Sequence, residues 1–479
     1  TPTVSYTYNS RGQVLTHTDE SGVVTTFTYG TSKEILLSKA VDDGGLDLTT
    51  VYTYDSRGNI ASITDPRGNK ETLAYNKRRQ LTKRTQPTPF SCETRFTYDS
   101  NGNRKKIRRE TGDVSNPWQE VVATYTVEDQ LASLKDPSNN SETYVYDDMR
   151  RLWKRTDAGG RVTEYLYEDN SRLWKVIDAA ANTEQQIAYS DNGVRISVDD
   201  ASGNTTEEEL DGFDRLKKRI YEDGSYEQLT HDANGNVLTF RTRAGNTITF
   251  TYDELNRMVS RAPQGQPTVS LEYDLAGRMT KESKPVVAGD PSTGNFQYFY
   301  DDAGRFFKEQ YPDGKQVQLQ LDDNGNVTRL TYPDGYYVDR VYDEVNRLTD
   351  VKLNGATSSA LSFDYDKLSR RTKLTYINGA VCDYEYEFDN DLSALKHAFV
   401  GSSVDFDYGY NNVHEVTNQG VDDAAYMWHP SAAGTESYGS ANGVNQYPTV
   451  GGSTYSYSSA GALTGDGVWT FGYDTENHL

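Results

Sequence analysis

The sequence of 479 residues has little of the material from which an ordinary globular core is built. Hydrophobic residues make up 35% of it, and with glycine counted in place of tyrosine the apolar share is about 36%, against about 45–50% in ordinary domains. A thick, compact core is therefore disfavoured. Disorder is disfavoured as well, because 12% of the residues are aromatic and they alternate regularly with polar ones. A thin sheet wall fits this composition.

Cysteine, long apolar runs and positive charge are also scarce. Cys92 and Cys382 lie far apart in the sequence and specify neither a disulfide framework nor a metal site, so we expect two buried free thiols. No run approaches the ~20 apolar residues that span a bilayer. The net charge of −22 disfavours nucleic-acid binding. The chain begins at Thr1 inside a strand pattern and stops just after a turn, and we interpret both ends as cuts through a longer array.

What the sequence has in quantity is a repeat. A set of seven residues occurs twice in succession, each member recurring 21 residues later. Its members are Tyr144, Tyr146, Arg151, Leu152, Trp153, Lys154 and Asp157, followed by Tyr165, Tyr167, Arg172, Leu173, Trp174, Lys175 and Asp178. Each copy alternates with period two on both sides of a polar turn, which predicts two strands and two turns per unit. A fixed period of this size is typical of a repeat architecture.

The repeat extends along most of the chain. The last aromatic or equivalent residue before each turn marks a unit, and most steps are 21 to 23 residues. The markers are Tyr8, Tyr29, Tyr54, Tyr75, Tyr98, Tyr125, Tyr146, Tyr167, Tyr189, Leu210, His231, Tyr252, Tyr273, Tyr300, Leu321, Tyr342, Tyr365, Phe388, Tyr410, Tyr457 and Tyr473. The following turn is usually Asp-x-x-Gly-Arg or Asp-x-x-Gly-Asn. Glycine or asparagine there supplies the positive φ that a tight hairpin needs.

Three segments interrupt the rhythm and suggest a division of the chain. They are 112–117, 284–295 and, longest, 411–456, which contains Trp428-His429-Pro430. We expect a β-shell array of about 18 units over 1–410, an irregular loop-rich segment over 411–456, and last units over 457–479 that lead to a core region absent from this chain. The irregular segment is either a lid or inner loop, or a divergent unit with a long turn.

Tandem Tyr-x-Tyr-Asp-x-x-Gly-Arg/Asn-Leu units of this kind resemble the RHS/YD-repeat proteins. These include bacterial Rhs polymorphic toxins, the C component of ABC-type insecticidal toxin complexes, and animal teneurins. The passage from Asn445 to Leu479 is similar to the family's approach to its RHS core region. The resemblance implies an all-β strip that spirals into a hollow shell. In the bacterial toxins the shell encloses a C-terminal effector, released by an aspartyl protease in the core. This sequence ends before that protease signature and carries no effector.

No constellation of residues predicts chemistry within the chain. The histidines show neither metal-ligand nor nucleophile spacing; they are His17, His231, His397, His414, His429 and His478. The segments 232–236 and 322–326 have glycine directly after the first asparagine, which does not meet the spacing of a calcium loop, and they are interpreted as hairpin turns. We therefore expect no catalytic residue, no cofactor and no metal site, and the chain is predicted not to be an enzyme.

Charge is distributed unevenly along the chain. Residues 57–109 hold 14 Lys and Arg against 4 Asp and Glu, whereas residues 380–479 hold one Lys against 14 Asp and Glu. The basic stretch should span about five strands, or roughly 24 Å of wall at ~4.8 Å per strand. Either both stretches are solvated faces screened by salt, or the basic wall docks an acidic surface on the far end of the array, on cargo or on a partner shell.

The function that these observations favour is containment by a non-catalytic shell. The expected partners are a C-terminal toxin cargo, absent from this chain, and a partner shell or secretion component, with neither nucleic acid nor a membrane span. The resemblance implies a secreted or bacterial cell-surface location. The alternative is an extracellular adhesion protein whose aromatic ladder binds glycans, with the tyrosines joined by Trp118, Trp153, Trp174, Trp428 and Trp469.

Overall fold

A computed structural model describes residues 3–31, 35–290, 292–426, 437–459 and 461–474. Its architecture is all-β: one antiparallel sheet of 38 strands and two small two-stranded sheets. A short 3-10 helix spans Ala424–Tyr426. The described residues contain no helix with the length and apolarity that crossing a membrane requires.

The strands of the large sheet are β1 Ser5–Tyr8, β2 Val14–Thr18, β3 Val24–Tyr29, β4 Leu36–Val41, β5 Leu48–Tyr54, β6 Ile60–Thr64, β7 Lys70–Tyr75, β8 Leu81–Thr85, β9 Glu93–Tyr98, β10 Arg104–Glu110, β11 Trp118–Tyr125, β12 Leu131–Lys135, β13 Ser141–Tyr146, β14 Leu152–Thr156, β15 Val162–Tyr167, β16 Leu173–Ile177, β17 Thr183–Tyr189, β18 Arg195–Asp199, β19 Thr205–Leu210, β20 Leu216–Ile220, β21 Tyr226–His231, β22 Val237–Arg241, β23 Thr247–Tyr252, β24 Met258–Pro263, β25 Val269–Tyr273, β26 Met279–Lys284, β27 Gly294–Tyr300, β28 Phe306–Gln310, β29 Gln316–Leu321, β30 Val327–Thr331, β31 Tyr337–Tyr342, β32 Leu348–Leu353, β33 Leu361–Tyr365, β34 Arg371–Tyr376, β35 Val381–Tyr386, β36 Leu392–Phe399, β37 Ser402–Tyr410 and β38 Val416–Val421. The small sheets pair β39 Thr449–Val450 with β40 Ser453–Thr454, and β41 Ser456–Tyr457 with β42 Leu463–Gly465.

Each strand of the large sheet pairs with the next one in the sequence. In the duplicated phrase, β13 pairs with β14 and β14 with β15, both antiparallel, and Tyr144 lies opposite Arg155, which lies opposite Thr163. The predicted succession of hairpins is confirmed. Between Val145 and Tyr146 the register shifts, and such bulges increase the right-handed twist of the strands that carry them. The shift recurs at the marker residue of most units, so the ribbon is given curvature at regular intervals.

The two faces of the sheet differ in polarity because side chains alternate along each strand. On β23, Ile248, Phe250 and Tyr252 share one face, and Thr249 and Thr251 share the other. The polar face carries hydroxyl pairs such as Thr251 Oγ1 and Ser260 Oγ, 2.6 Å apart. Fully buried apolar residues are few in the described chain, and one cluster gathers three of them, Phe363, Leu374 and Cys382. The wall is held by cross-strand neighbours on one face.

The surface of the molecule is that of a thin wall. Its accessible area is 27,664 Å², whereas a compact monomer of 53.8 kDa exposes about 18,000 Å². The accessible area is therefore about half as large again as that of a compact protein. We attribute the excess to a single sheet whose two faces both contact solvent. Both cysteines are free and buried, as the sequence predicts.

The breaks in the rhythm are loops between strands, and the array is longer than expected. Residues 111–117 connect β10 to β11, and the described residues between β26 and β27 are 285–290 and 292–293. At the third break β38 still pairs with β37, so the sheet passes the boundary expected at residue 410. The reason is turn chemistry, because Asn411 Oδ1 accepts the backbone N–H groups of Val413 and Glu415 as an aspartate would. Trp428-His429-Pro430 lies outside the described residues.

Candidate functional site: the turn ladder and the seam between coils

The turns that follow the marker residues share one geometry, seen clearly at Asp253. Its Oδ1 accepts the backbone N–H groups of Leu255 and Arg257, both at 2.9 Å, and its Oδ2 accepts Arg257 Nε at 2.7 Å. Asn256 takes a φ of 61°, where glycine stands in other units. The Asp-x-x-Gly/Asn-Arg pattern is therefore a hydrogen-bonded turn in which the aspartate fixes the arginine. The segments at 232–236 and 322–326 are turns of the same kind.

The fixed arginine connects its unit to the next one. Arg257 Nη1 donates to the carbonyl oxygen of Asp274 at 3.0 Å, and the guanidinium lies 4.9 Å from the centre of the Tyr273 ring. Stacking of an arginine on an aromatic face adds cation–π attraction. The same stack recurs at 4.6 to 4.8 Å in the pairs Arg151–Tyr167, Arg172–Tyr189, Arg278–Tyr300, Arg347–Tyr365 and Arg370–Tyr386.

The marker tyrosine connects its unit to the preceding one. Tyr273 donates its hydroxyl to the carbonyl oxygen of Met258 at 2.7 Å. Equivalent bonds are made by Tyr54, Tyr98, Tyr125, Tyr146, Tyr167, Tyr189, Tyr252, Tyr300, Tyr342, Tyr365, Tyr386 and Tyr410. The expected marker Phe388 was wrong: the register shift falls at Tyr386, and Phe388 lies inside the turn 387–391. Aspartate, arginine and tyrosine together form what we call the turn ladder, which runs along one edge of the ribbon and links unit to unit.

The ladder shifts the protonation of its members. The Arg215 guanidinium hydrogen-bonds Asp211 and lowers the pKa of that carboxyl to about 2. Backbone N–H donors and Arg257 likewise lower the pKa of Asp253. On the apolar face, burial and a hydrogen bond to Glu142 raise the pKa of Tyr144 to about 12. At neutral pH Asp211 and Asp253 are therefore anions, and Tyr144 is a neutral donor.

The ribbon coils, and its two edges meet at a seam. We define the seam as the contacts between the second turns of units within residues 19–204 (the first coil) and the marker turns within residues 274–446 (the second coil). Ser21 and Arg278 are 257 residues apart in the chain and 3.2 Å apart in space. Glu110 and Lys367 show the same separation of 257 residues at 2.5 Å. The recurrence shows that one coil takes roughly 250 residues.

Arg67 makes the most extensive single contact across the seam. It donates to the carbonyl oxygens of Asp343 and Tyr342 at 2.9 and 3.1 Å and to Asn346 Oδ1 at 3.0 Å, and it pairs with Asp322 at 3.3 Å. All of these acceptors belong to marker turns of the second coil. The seam therefore uses oxygen acceptors of the marker turns, in addition to the hydrogen bonds within those turns.

Farther along the seam the contacts involve two residues to which the sequence analysis gave no role. Gln119, only 3% exposed, donates to the Phe388 carbonyl oxygen at 2.7 Å and to Asn390 Oδ1 at 2.8 Å. His414 lies with Nδ1 2.7 Å from Asp391 Oδ2 and with Nε2 3.5 Å from Asp136 Oδ2 on the first coil. No local signal marks either residue, because their partners are brought near only by the pitch of the coil.

The remaining histidines have structural surroundings. His231 occupies a marker position with its side chain 9% exposed, His17 stacks on Tyr6 at 4.8 Å, and His397 lies beside Phe399. His429 and His478 lie outside the described residues. Within the part of the chain that the structure describes, one group of three potential metal ligands lies together, formed by Asp136, Asp389 and His414.

The tryptophans do not form one open ladder. Trp118 lies between the guanidinium groups of Arg95 and Arg108, at 4.6 and 5.2 Å. Trp153 is 38% exposed, and its Nε1 donates to Glu164 at 2.6 Å. Lys175 lies 5.8 Å from the Trp174 ring, and Trp469 is 69% exposed. Trp428 lies outside the described residues.

The basic stretch 57–109 covers strands β6 to β10, five strands as expected. Part of its charge is matched across strands, as between Lys83 and Glu93 at 2.9 Å and between Lys106 and Glu120 at 2.6 Å. Its turn at 77–79 is exposed. At the seam the acidic stretch 380–479 contacts Gln119, Asp136, Arg161 and Asp200 of the first coil.

Comparison with known proteins agrees with this architecture. The family model of the teneurin YD-shell matches residues 3–205 and 210–338. No curated protein matches the sequence. A TcdB2–TccC3 crystal structure is similar with a TM-score of 0.57 and 12% identity over 90% of this chain and 26% of its own. A Tc holotoxin pore from Photorhabdus luminescens is similar with a TM-score of 0.59 and 12% identity over 96% of this chain and 28% of its own. The chain thus spans about a quarter of the length of these structures, and the likeness concerns the fold.

Proposed function

Since the chain belongs to the teneurin YD-shell family of RHS/YD-repeat proteins, we propose that it forms part of a shell that encapsulates a C-terminal effector. Its role as structural shell follows from the family, and the proposal concerns what the shell holds. The observation that carries it is the surface of 27,664 Å², about half as much again as a compact protein of this mass exposes. A coiled wall with two solvent-facing sides has room for a guest.

Containment requires no catalytic group from this chain. It requires a continuous wall, and the ladder and the seam provide one: the ladder links each unit to its neighbours, and the seam closes one coil onto the next. The proposal therefore assigns no catalytic residue, cofactor or metal to the chain. It is a proposal about a shell segment of a toxin or delivery protein.

The partners follow from the same proposal. One of the similar structures is described as a Tc holotoxin pore and the other as TcdB2–TccC3, which supports a toxin cargo and a partner shell as the binding partners of this chain. A secreted or bacterial cell-surface location is part of the proposal, since a shell of this kind would act outside the cell that makes it.

Two measurements test containment. Sequencing the natural gene beyond the codon for Leu479 should reveal a protease-bearing core followed by a variable domain. A density map of that full-length product should show an enclosed void of many thousands of Å³ that holds the variable domain. A filled interior, or a variable domain that is digested by protease as fast inside the intact product as when it is produced alone, would contradict the proposal.

Glycan recognition at an extracellular surface is the alternative, and the exposed rings of Trp153 and Trp469 are the observation in its favour. Aromatic rings stack on sugars, but Trp118 is occupied by two arginines and Trp153 by Glu164. A glycan array separates the two functions. Specific binding that is lost on Trp469→Ala, in a protein whose map shows no void, would support adhesion instead of containment.

A further inference from the structure

His414 occupies an unusual place in the seam. It stands fourth in the marker turn 411–415 with a φ of 63°, a conformation that L-residues other than asparagine and aspartate adopt reluctantly. Glycine or asparagine holds this position in most units. Its side chain reaches across to the first coil, where Asp136 begins a second turn.

Three carboxylates converge on the imidazole. Asp391 Oδ2 lies 2.7 Å from Nδ1 and Asp136 Oδ2 lies 3.5 Å from Nε2. Asp389 completes the group: one carboxylate oxygen each of Asp136 and Asp389 and one ring nitrogen of His414 lie within 4.8 Å of one another. Asp389 Oδ1 is buried and lacks a hydrogen-bond partner. A buried, unpartnered carboxylate oxygen is costly unless a positive charge faces it.

The other charged groups around His414 are paired among themselves. Arg161, from the neighbouring second turn of the first coil, bridges Asp157 at 2.7 Å and Glu415 at 2.9 Å. Arg155 pairs with Glu142. These groups line or flank a pocket of about 290 Å³ whose wall includes Asp136, Glu142, Arg155, Asp157 and His414. The positive charge that compensates Asp136, Asp389 and Asp391 is therefore that of the His414 imidazolium.

We propose that His414 is a proton-dependent clasp of the seam, in which the imidazolium ties the turns 387–391 and 411–415 of the second coil to Asp136 of the first. Loss of the proton leaves three carboxylates facing one another across the seam and loosens it. This inference concerns the regulation of the shell and rests on the proposed function for its biological meaning.

The direction of the pH dependence follows from the carboxylates. The hydrogen bond to Asp391, and then the charges of Asp391, Asp389 and Asp136, raise the pKa of His414 above its ordinary value. A raised pKa in the folded state means that the contribution is fully present below the unfolded value of about 6.5 and is lost as the pH rises through the folded value. The clasp is therefore closed below the unfolded value and opens as the pH rises through the higher folded value.

Hydrogen–deuterium exchange of the full chain tests the clasp. After correction for intrinsic rates, protection of the backbone amides in 136–140 and 411–415 should fall several-fold as the pH is raised from 6 to 9 and His414 loses its proton. His414→Asn keeps a residue suited to the positive φ and should show low protection at both pH values. His414→Arg should retain protection at pH 9, since Arg150 takes the same turn position at a φ of 65°.

Arg161→Gln is the matched control at the next contact along the seam. It should lower protection of 157–161 at every pH and leave the pH dependence at His414 unchanged. Flat wild-type protection from pH 6 to pH 9, or His414→Asn equal to wild type at pH 6, would overturn the proposal. So would protection that requires added Zn²⁺ and disappears with EDTA, because the group would then be a metal site. The void in the density map does not depend on His414, so failure of the clasp and failure of containment are distinguishable.

Discussion

Tyr273 shows what one side chain contributes to a wall without a thick core. Its hydroxyl satisfies the Met258 carbonyl oxygen at 2.7 Å, and its ring receives Arg257 at 4.9 Å. Tyr273→Phe keeps the ring and leaves that carbonyl without its donor, so the free energy of unfolding should fall by about 1 kcal/mol. Chemical denaturation of the purified chain measures this difference.

The first unit supplies the control for that substitution. Tyr8 holds the same marker position on β1 and is 57% exposed. Tyr8→Phe should leave the free energy of unfolding unchanged. An equal effect at both positions would mean that the hydroxyl bond does not link the units.

The ladder aspartates predict how the wall responds to acid. Arg215 lowers the pKa of Asp211 to about 2, below the unfolded value of about 3.9. A depressed pKa contributes stability that is present above the unfolded value and is lost as the pH falls through the folded one. Thermal stability should therefore decline from about pH 4 toward pH 2. Arg215→Gln should lower stability at neutral pH and make the decline between pH 4 and pH 2 shallower, because Asp211 then loses most of its pKa depression. Asp148→Asn, at an exposed turn position, should change neither.

Residues differ in how far the sequence reveals them. The partners of Asp253 lie within four positions of it, so the pattern Asp-x-x-Gly/Asn-Arg predicts the turn directly. Arg67, Gln119 and His414 meet partners on the neighbouring coil. Which residues meet at the seam depends on the twist accumulated over more than twenty strands. A local sequence pattern does not contain that accumulated twist, so it cannot predict the contacts.

At the scale of the element, each hairpin depends on one residue with positive φ. Gly58 takes a φ of +84°, and a Cβ built there would have no heavy atom within 4 Å. Gly58→Ala should therefore destabilise the hairpin through backbone strain alone, by about 1 kcal/mol. Gly58→Asn should cost less, since asparagine occupies the equivalent position 256 at a φ of 61°. The shift in melting temperature of each variant measures the effect.

The reverse substitution provides the check on this reasoning. Arg79 holds the same turn position at a φ of 63° and is exposed, so Arg79→Gly removes a side chain from a strained position and should be neutral or slightly stabilising. If Gly58→Ala were also neutral, the turn would have another conformation available, and the positive φ would not be what selects glycine in the repeat.

Strands were predictable as elements because period-two alternation and turn chemistry coincide in almost every unit. The end of the array was not predictable in this way, because Asn411 replaces the usual aspartate and the sheet nevertheless continues through β38. The amide oxygen of asparagine accepts the same backbone N–H groups. A motif defined by the carboxylate therefore stops one hairpin too early.

The whole molecule combines a local rule with a long-range consequence. Turn chemistry repeated at a nearly constant interval adds a similar increment of twist at every unit, which brings residue 21 beside residue 278 and residue 110 beside residue 367. The composition predicts a thin wall and the repeat predicts a coil. The pitch, and with it the seam, follows only from the assembled structure.

Arg67 provides a test of the seam at this scale. Arg67→Ala removes its contacts to Tyr342, Asp343 and Asn346 and its ion pair with Asp322, while β6, β7 and their hairpin remain intact. Backbone amides of 342–347 should then exchange several-fold faster, since each of these bonds contributes about 1 kcal/mol. Arg243→Ala is the control, because Arg243 pairs with Asp223 and Ser225 of the preceding unit. Faster exchange in both variants, or in neither, would mean that the edges do not hold each other and that the coil keeps its pitch through the twist of its strands alone.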